Sequence, residues 1–317
     1  MVDTPVQTLS DGTPIVPAER VTIAADFALA VRRLGAGGIP LLALHGFPCT
    51  SLIWAKVMHP LAAAGFDVVA PDLRGYGESD YAPDDFYDLA AFGRDMIALA
   101  DTLDWDRFTV TGHDLGAAVS IQMANTYPDR VDRLLLMNHG IPERPEHPEW
   151  PSIRQFTPAQ AAAIFDYADR QGNDADGLMA ELPTPDARRR YVASFYTNRV
   201  WCPPGAFSSP DLDLLIEPYA DERRLRTSFI DYEIIAGKHP LSAPELLDQP
   251  VQQPVAVMLG PDEVTYLPDS VARCRLAYPD LIGPFIVPDS GHFMQWEQPS
   301  TVTSALRGLF GQWDTHP

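Results

Sequence analysis

The sequence predicts an α/β fold, a mostly parallel sheet flanked by helices and interrupted by an inserted helical segment. Three observations predict it. Short apolar, β-rich segments near 41–45, 67–71, 107–111, 132–137, 255–259 and 284–288 alternate with stretches of helical spacing, the rhythm of parallel strands joined by crossover helices. Between the fourth and fifth segments that rhythm stops. There, Pro142 to Pro244 carries Ala-rich and Arg-rich helical runs broken by Pro183, Pro185, Pro203 and Pro204. Finally, 317 residues at 46% hydrophobic can bury a large core and commonly form one domain plus an insertion. The core is therefore placed at 1–142 and 246–317, with a helical cap at 143–245. No internal repeat is visible.

Taken in order, Leu41-Leu-Ala-Leu-His45-Gly46-Phe47-Pro48 is an apolar strand running into a tight turn before a helix near Ser51 to Ala64. Phe66-Asp-Val-Val-Ala-Pro-Asp72 is a buried strand, and the loop Leu73-Arg-Gly-Tyr-Gly-Glu-Ser79 after it reads as scaffold. Arg107-Phe-Thr-Val-Thr is short and β-rich, whereas Leu115-Gly-Ala-Ala-Val-Ser-Ile-Gln-Met-Ala continues with helical spacing. Asp114 thus stands at the corner of a strand-turn-helix, inside Gly112-His113-Asp114-Leu115-Gly116. A sharp elbow of this kind presents a nucleophile, and its flanking glycines let the backbone pass close to its neighbours. A carboxylate there has a distinct chemistry. Attacking saturated carbon, it forms an ester whose carbonyl belongs to the protein, and water can cleave that ester and restore the acid.

Val131-Asp-Arg-Leu-Leu-Leu-Met is the next strand, and it ends in Asn138 and His139, which supply no carboxylate and are expected as a polar lining of the substrate pocket beneath the cap, His139 as hydrogen-bonded structure rather than a second base. Val255-Ala-Val-Met-Leu-Gly-Pro ends in two acids, with Asp262 the first choice and Glu263 the second as partner to a histidine. Phe285-Ile-Val-Pro-Asp-Ser-Gly291 precedes His292. Nucleophile, acid and histidine then follow one another in the chain order of an elbow hydrolase. The backbone N–H groups of Phe47 and Leu115 are expected to form the oxyanion hole. Within the cap, Phe156, Phe165, Phe195, Trp201, Phe207 and Tyr219 are candidates for an apolar pocket wall.

His45-Gly-Phe-Pro, Asp72-Leu-Arg-Gly-Tyr-Gly-Glu-Ser, Gly112-His-Asp-Leu-Gly and Gly291-His292 together resemble the epoxide hydrolase and dehalogenase branch of the α/β-hydrolase superfamily. The likeness covers nearly the whole chain. It implies an α/β-hydrolase fold, Asp114 as nucleophile, His292 as base, and cap tyrosines that steady the departing oxygen of an epoxide. Tyr232, in Thr227-Ser-Phe-Ile-Asp-Tyr-Glu-Ile-Ile, matches the second such tyrosine. For the first, Tyr167, Tyr191 and Tyr196 are all candidates, with Tyr167 favoured. Haloalkane dehalogenases would call for a tryptophan after the nucleophile and a halide donor at position 47. Haloacetate dehalogenases would call for arginines just after the nucleophile to clamp the substrate carboxylate. Leu115, Phe47, Ala117 and Ala118 depart from both patterns, which leaves an epoxide hydrolase giving a diol as the leading expectation. The competing readings are a haloalkane or haloacid dehalogenase, an ester or lactone hydrolase, and a small-molecule receptor without catalysis.

The formal charge of −20 speaks against nucleic acid and an anionic membrane surface as partners. The partner expected instead is a small apolar molecule, an epoxide or organohalide, with at most a second copy of the chain as a homodimer. Arg188-Arg189-Arg190 reads as a solvated helix face. The N-terminal segment has no basic start followed by an apolar stretch, so a cytoplasmic enzyme is expected. Cys49, Cys202 and Cys274 show no paired spacing, the eight histidines no metal-ligand spacing, and no glycine-rich phosphate or dinucleotide loop occurs. The expected mechanism therefore uses no cofactor and no metal. The 31 prolines, about twice the ordinary share, are scattered among apolar segments and read as stiff loops.

Overall fold

The computed structural model describes residues 7–139, 141–152, 157–198, 200–263 and 269–311. Among the described residues eight strands form one sheet: β1 (Glu19–Ala24), β2 (Phe27–Leu34), β3 (Ile39–Leu44), β4 (Phe66–Pro71), β5 (Phe108–His113), β6 (Val131–Met137), β7 (Val255–Leu259) and β8 (Leu281–Ile286). Their order is β1-β2-β4-β3-β5-β6-β7-β8, parallel from β4 to β8 and antiparallel where β2 meets β1 and β4. Every residue of β4, β5 and β7 is buried. Strands covered on both faces need continuous apolar runs, which makes these segments legible in the sequence.

The β1–β2 hairpin is not legible in the same way. Phe27-Ala-Leu-Ala-Val-Arg-Arg-Leu is rich in helix formers, so local propensity points the wrong way. Pairing decides it: Val31 to Leu34 lie in register with Pro71 to Val68, and Asp26 takes φ 60° in the preceding turn. Position 286 ends β8, so the last strand lies a few residues earlier than the expected 284–288.

Helices α1 (Ala55–Ala63), α2 (Leu89–Thr102) and α3 (Leu115–Thr126) follow β3, β4 and β5. Between β6 and β7 the elements among the described residues are helical: α4 (Pro158–Ile164), α5 (Asp166–Asn173), α6 (Ala175–Glu181), α7 (Pro185–Thr197), α8 (Ser209–Ile216), α9 (Glu222–Thr227) and α10 (Ile230–Ile235), with short 3-10 turns. The chain continues through α11 (Ser270–Ala277), α12 (Met294–Glu297) and α13 (Pro299–Phe310), the last packed with α1. Several prolines turn out to start helices, at the first turns of α4, α7, α8 and α13, where no backbone N–H is missed. Helices α5 and α10 pack closely against each other, and a Cβ at Gly172 would lie 2.7 Å from the carbonyl oxygen of Tyr232. Glycine at 172 lets these two helices meet.

Candidate active site

β5 stops at His113 and α3 starts at Leu115, which leaves Asp114 at the corner with φ 55° and ψ −123°. This backbone region is unfavourable for any residue with a Cβ, and such strain persists only where the surroundings enforce it. Gly116 shows how they do so. A Cβ there would sit 2.3 Å from the carbonyl oxygen of Leu44, so α3 can start against the end of β3 only with glycine at that position. The close approach brings the turn after β3 to the carboxylate. Phe47 N–H donates to Asp114 Oδ1 at 3.0 Å, and the Leu115 N–H donates to the same carboxyl group. The two amides expected to form an oxyanion hole thus converge on position 114. Burial pushes the Asp114 pKa up; His292 and the two amides oppose this without cancelling it, and Glu263 adds to the rise.

His292 faces Asp114, with Nε2 3.8 Å from Oδ2. On its other side Nδ1 donates to Glu263 Oε1 at 2.9 Å. The acid that reaches the imidazole is therefore Glu263, and Asp262, the first choice from the sequence, does not. The Asp262 backbone N–H is tied to the carbonyl of Ser290 at 3.1 Å, and its side chain is exposed. The next residue turns inward, and its longer side chain spans the distance. Burial disfavours the imidazolium of His292, yet the charge and hydrogen bond of Glu263, then Asp114 and Glu297, outweigh it and raise the pKa above the usual histidine value.

The loop carrying His292 is held by residues with other expected roles or none. Asn138, at φ 41°, donates through Nδ2 to the carbonyls of Gly291 (2.5 Å) and His292 (2.9 Å) and accepts from Gly260 N–H at 2.8 Å. It fastens the ends of β6, β7 and β8 together and does not line the cavity. His139 likewise turns away and pairs with the Tyr278 hydroxyl at 2.6 Å, with burial lowering its pKa to about 4. The pocket roles expected for both are thus corrected, because β6 ends in a turn that sends these side chains toward neighbouring loops. His113, which the sequence does not single out, donates through Nε2 to the His292 carbonyl at 2.8 Å, and burial keeps it neutral. Glu297 accepts from the N–H groups of Gly291 (2.5 Å) and Phe293 (2.9 Å), on either side of the histidine. The sequence signal for these two is position alone, one residue before the elbow and five after the histidine.

Above the elbow, a cavity of about 640 Å³ is bounded by Asp114, Leu115, Phe165, Tyr167, Tyr232 and Leu247 among others. A narrower pocket runs from Asp114 past Tyr167, Phe195 and Trp201 to His292. Tyr167 and Tyr232 come from α5 and α10, with ring centroids 5.7 Å apart in an edge-to-face contact. Of the competing tyrosines, Tyr191 is bonded to Gln171 at 2.7 Å and Tyr196 to the Pro48 carbonyl at 2.8 Å. Burial above all, with the charge of Asp114 contributing, raises the pKa of both Tyr167 and Tyr232, so they stay protonated. Phe207 stacks on Trp296 and Tyr219 donates to the Cys49 carbonyl, so these two hold the insertion to the core. Phe156 lies outside the described residues. Arg188 is buried and bonds the carbonyls of Leu182 and Ala220, unlike the solvated residue expected.

Among the described residues no group of three or more His, Cys, Asp or Glu side chains gathers as a metal site, and no helix is long and apolar enough to cross a membrane. The three cysteines are buried free thiols.

Residues 39–299 match the family described as the α/β hydrolase fold. The chain is 32% identical to epoxide hydrolase 3 of Siraitia grosvenorii, across 93% of this chain and 98% of that one. It is 41% identical to a fluoroacetate dehalogenase of a Burkholderia species, over only 33% of this chain and 36% of the relative. Uncharacterised mycobacterial proteins match at 41% identity, but the alignment spans only 31% of their length. Among solved structures, the epoxide hydrolase CorEH superimposes with a TM-score of 0.77 at 23% identity, covering 92% of this chain and 98% of that one, a likeness of fold.

Proposed function

Because the chain belongs to the α/β-hydrolase fold family, we propose that it is a hydrolase that opens epoxides to diols through an ester on Asp114. The observation that carries this reading is the shared cavity of Asp114, Tyr167 and Tyr232, a carboxylate at the elbow with two protonated phenols in the same cavity wall. Residues 143–245 act as a cap that supplies those phenols and excludes water.

In the first step an Asp114 oxygen attacks one ring carbon, and the carbon–oxygen bond of the ring breaks. The departing oxygen takes its stabilising hydrogen bonds, and then a proton, from Tyr167 and Tyr232. The product is a hydroxyalkyl ester of Asp114. In the second step His292, whose Nδ1–H is fixed on Glu263, removes a proton from water through Nε2. The resulting hydroxide adds to the carboxyl carbon of Asp114. Negative charge develops on an oxygen to which the Phe47 and Leu115 amides donate, worth about 3–4 kcal/mol per donor in comparable sites. Collapse releases the diol and returns the protons to the leaving oxygen and the tyrosine.

Alkylation also prepares the base. Esterified Asp114 has no charge, so one influence raising the His292 pKa disappears as water is needed. The apolar side chains of Phe47 and Leu115 and the two phenols favour an epoxide over a carbon–halogen substrate.

The test is to incubate the His292→Gln variant with terminal and disubstituted epoxides, and separately with haloalkanes and haloacetates, and to weigh the intact protein. An adduct with an epoxide at Asp114, absent in Asp114→Asn, is the expected result. An adduct only with halides, or ester turnover that survives Asp114→Asn, overturns the reading.

A further inference from the structure

Asp114 is the meeting point of two spaces of very different size. On one side lies the cavity of about 640 Å³, within the range that takes a drug-sized ligand. On the other, between Asp114 and His292, the pocket closed by Phe195, Trp201 and Phe293 offers about 10 Å³. That is the room of a single water molecule. An alkyl group has no place there, whereas water is what His292 must receive for ester hydrolysis.

The closed side is held closed by rings that brace one another. Phe195 meets Phe47 and Tyr167 edge to face, with centroids 5.2 and 5.1 Å apart, and Trp201 meets Tyr167 and His292 in the same way at 5.5 and 5.4 Å. Both side chains are buried. The Trp201 carbonyl accepts the His292 N–H, and a Cβ at Gly291 would lie 2.4 Å from that carbonyl oxygen, so the segment carrying Trp201 presses on the histidine loop. Neither ring can swing aside without displacing a packed neighbour. The wide side is built differently. Apolar side chains run from buried Leu115 and Leu89 through half-buried Ala118 and Leu247 to Ile235, which is 76% exposed at the rim. The carboxylates of Asp169, Asp231 and Glu245 share this wall, so an uncharged chain finds its contacts on those five side chains.

Resting on the epoxide reading, we infer that the preferred substrates are terminal epoxides with one extended apolar substituent, and that Phe195 and Trp201 determine this specificity by closing the His292 side of the site. The ring oxygen would face Tyr167 and Tyr232. The unsubstituted ring carbon would take the closed side, with the substituted carbon toward Leu115 and its chain running out to Ile235. A ring substituted at both carbons would have to force one substituent into a water-sized space.

The test compares two isomers of one formula, 1,2-epoxyoctane and trans-4,5-epoxyoctane, with 1,2-epoxybutane as the short-chain member. The wild type is expected to favour 1,2-epoxyoctane over its internal isomer by about a hundredfold in kcat/KM, the scale of forcing extra methylenes into a packed site. Phe195→Ala, which opens the closed side, should lower that ratio by about tenfold, and Trp201→Phe by a smaller factor. Along the terminal series kcat/KM should rise by at least about tenfold from 1,2-epoxybutane to 1,2-epoxyoctane, since each methylene fully buried counts for about fourfold. Ala118→Phe, which fills the wide side, should cancel most of that rise. A wild-type isomer ratio below about ten, a ratio that neither Phe195→Ala nor Trp201→Phe lowers, or no rise with chain length overturns the inference and leaves epoxide opening standing. Turnover of none of the three epoxides by the folded wild type overturns the epoxide reading, and the inference with it. Should Phe195→Ala not fold, Trp201→Phe and the wild-type chain-length series still decide.

Discussion

His292 Nδ1 lies 2.9 Å from Glu263 Oε1, while the neighbouring Asp262 carboxylate stays exposed and its backbone is held by Ser290. A histidine fixed in this way keeps its Nε2 lone pair directed at the elbow, and losing the carboxylate frees the ring to take the wrong tautomer. Glu263→Gln is therefore expected to slow ester hydrolysis by about 10²–10⁴-fold and to leave alkylation much less affected. Asp262→Asn should stay within about twofold of wild type, as a surface change does. Single-turnover kinetics on both variants would check this. Equal losses would mean that the two acids do not divide the role in this way.

The pH profile follows from the same pair. The His292 pKa is raised, burial being outweighed by Glu263 and Asp114, and the neutral imidazole is the form that works as base. Activity should therefore be lost as pH falls through a value above the ordinary ~6.5 of histidine. Since esterification removes the Asp114 charge, the limb for hydrolysis of the trapped ester should lie at lower pH than the limb in kcat/KM. Stopped-flow measurements of both phases across pH would reveal a reversed order if Asp114 had no such influence.

Tyr167 and Tyr232 meet edge to face and share one cavity with Asp114. Tyr167→Phe and Tyr232→Phe are each expected to slow alkylation by about 10²–10³-fold, the usual loss of one donor to a developing oxyanion. The hydrolysis of ester already formed should change little. Tyr191→Phe breaks only the contact with Gln171 and serves as the comparison. A burst rate equal to wild type in the Tyr232 variant would exclude a role in ring opening.

Much of this site is legible in the sequence because it sits where strands end. Apolar runs mark β3 to β7, and the residues just beyond their C-terminal ends are the ones a parallel sheet gathers at one edge. Asp114 and the amides of Phe47 and Leu115 follow from that rule, and His292, six residues beyond β8, from the chain order of nucleophile, acid and histidine. Glu263 against Asp262 does not, because adjacent acids after β7 differ only in which way the loop turns them. Asn138 and His139 escape it for a related reason. Polar residues at a strand end can face a cavity or a neighbouring loop, and here the loop bearing His292 offers carbonyls that a buried amide must satisfy. Nor can spacing select Tyr167 over Tyr191 and Tyr196, since that choice depends on α5 meeting α10.

The Asn138 network gives a stability prediction. Its side chain makes three buried hydrogen bonds that tie β6 to the ends of β7 and β8. Asn138→Ala would leave the Gly260 N–H without its acceptor and the Gly291 carbonyl with only a long contact to the Ser290 hydroxyl, while the His292 carbonyl keeps His113, at a cost of about 1–3 kcal/mol. Thermal melting should fall by several degrees. Activity should fall further than stability, because the His292 backbone loses one of its supports. A variant as stable as wild type would show that water replaces the amide.

The contact between α5 and α10 offers the sharpest test of the cap. A Cβ at Gly172 would meet the Tyr232 carbonyl oxygen at 2.7 Å and the Ala236 side chain at 3.3 Å, so any substitution must push the helices apart. Backbone oxygen cannot move aside as a flexible side chain does, and the displacement passes directly to Tyr232. Gly172→Ala is expected to lower the alkylation rate by about tenfold, since misplacement on the ångström scale is costly for a positioned donor. Ester hydrolysis, which depends on His292 and Glu263 in the core, should be nearly unchanged. The signature is thus a split between two steps, measured by burst amplitude and single-turnover decay in one experiment. If both steps slowed together, the substitution would be disturbing the whole cap, and ring opening could not be credited to the two tyrosines through this variant.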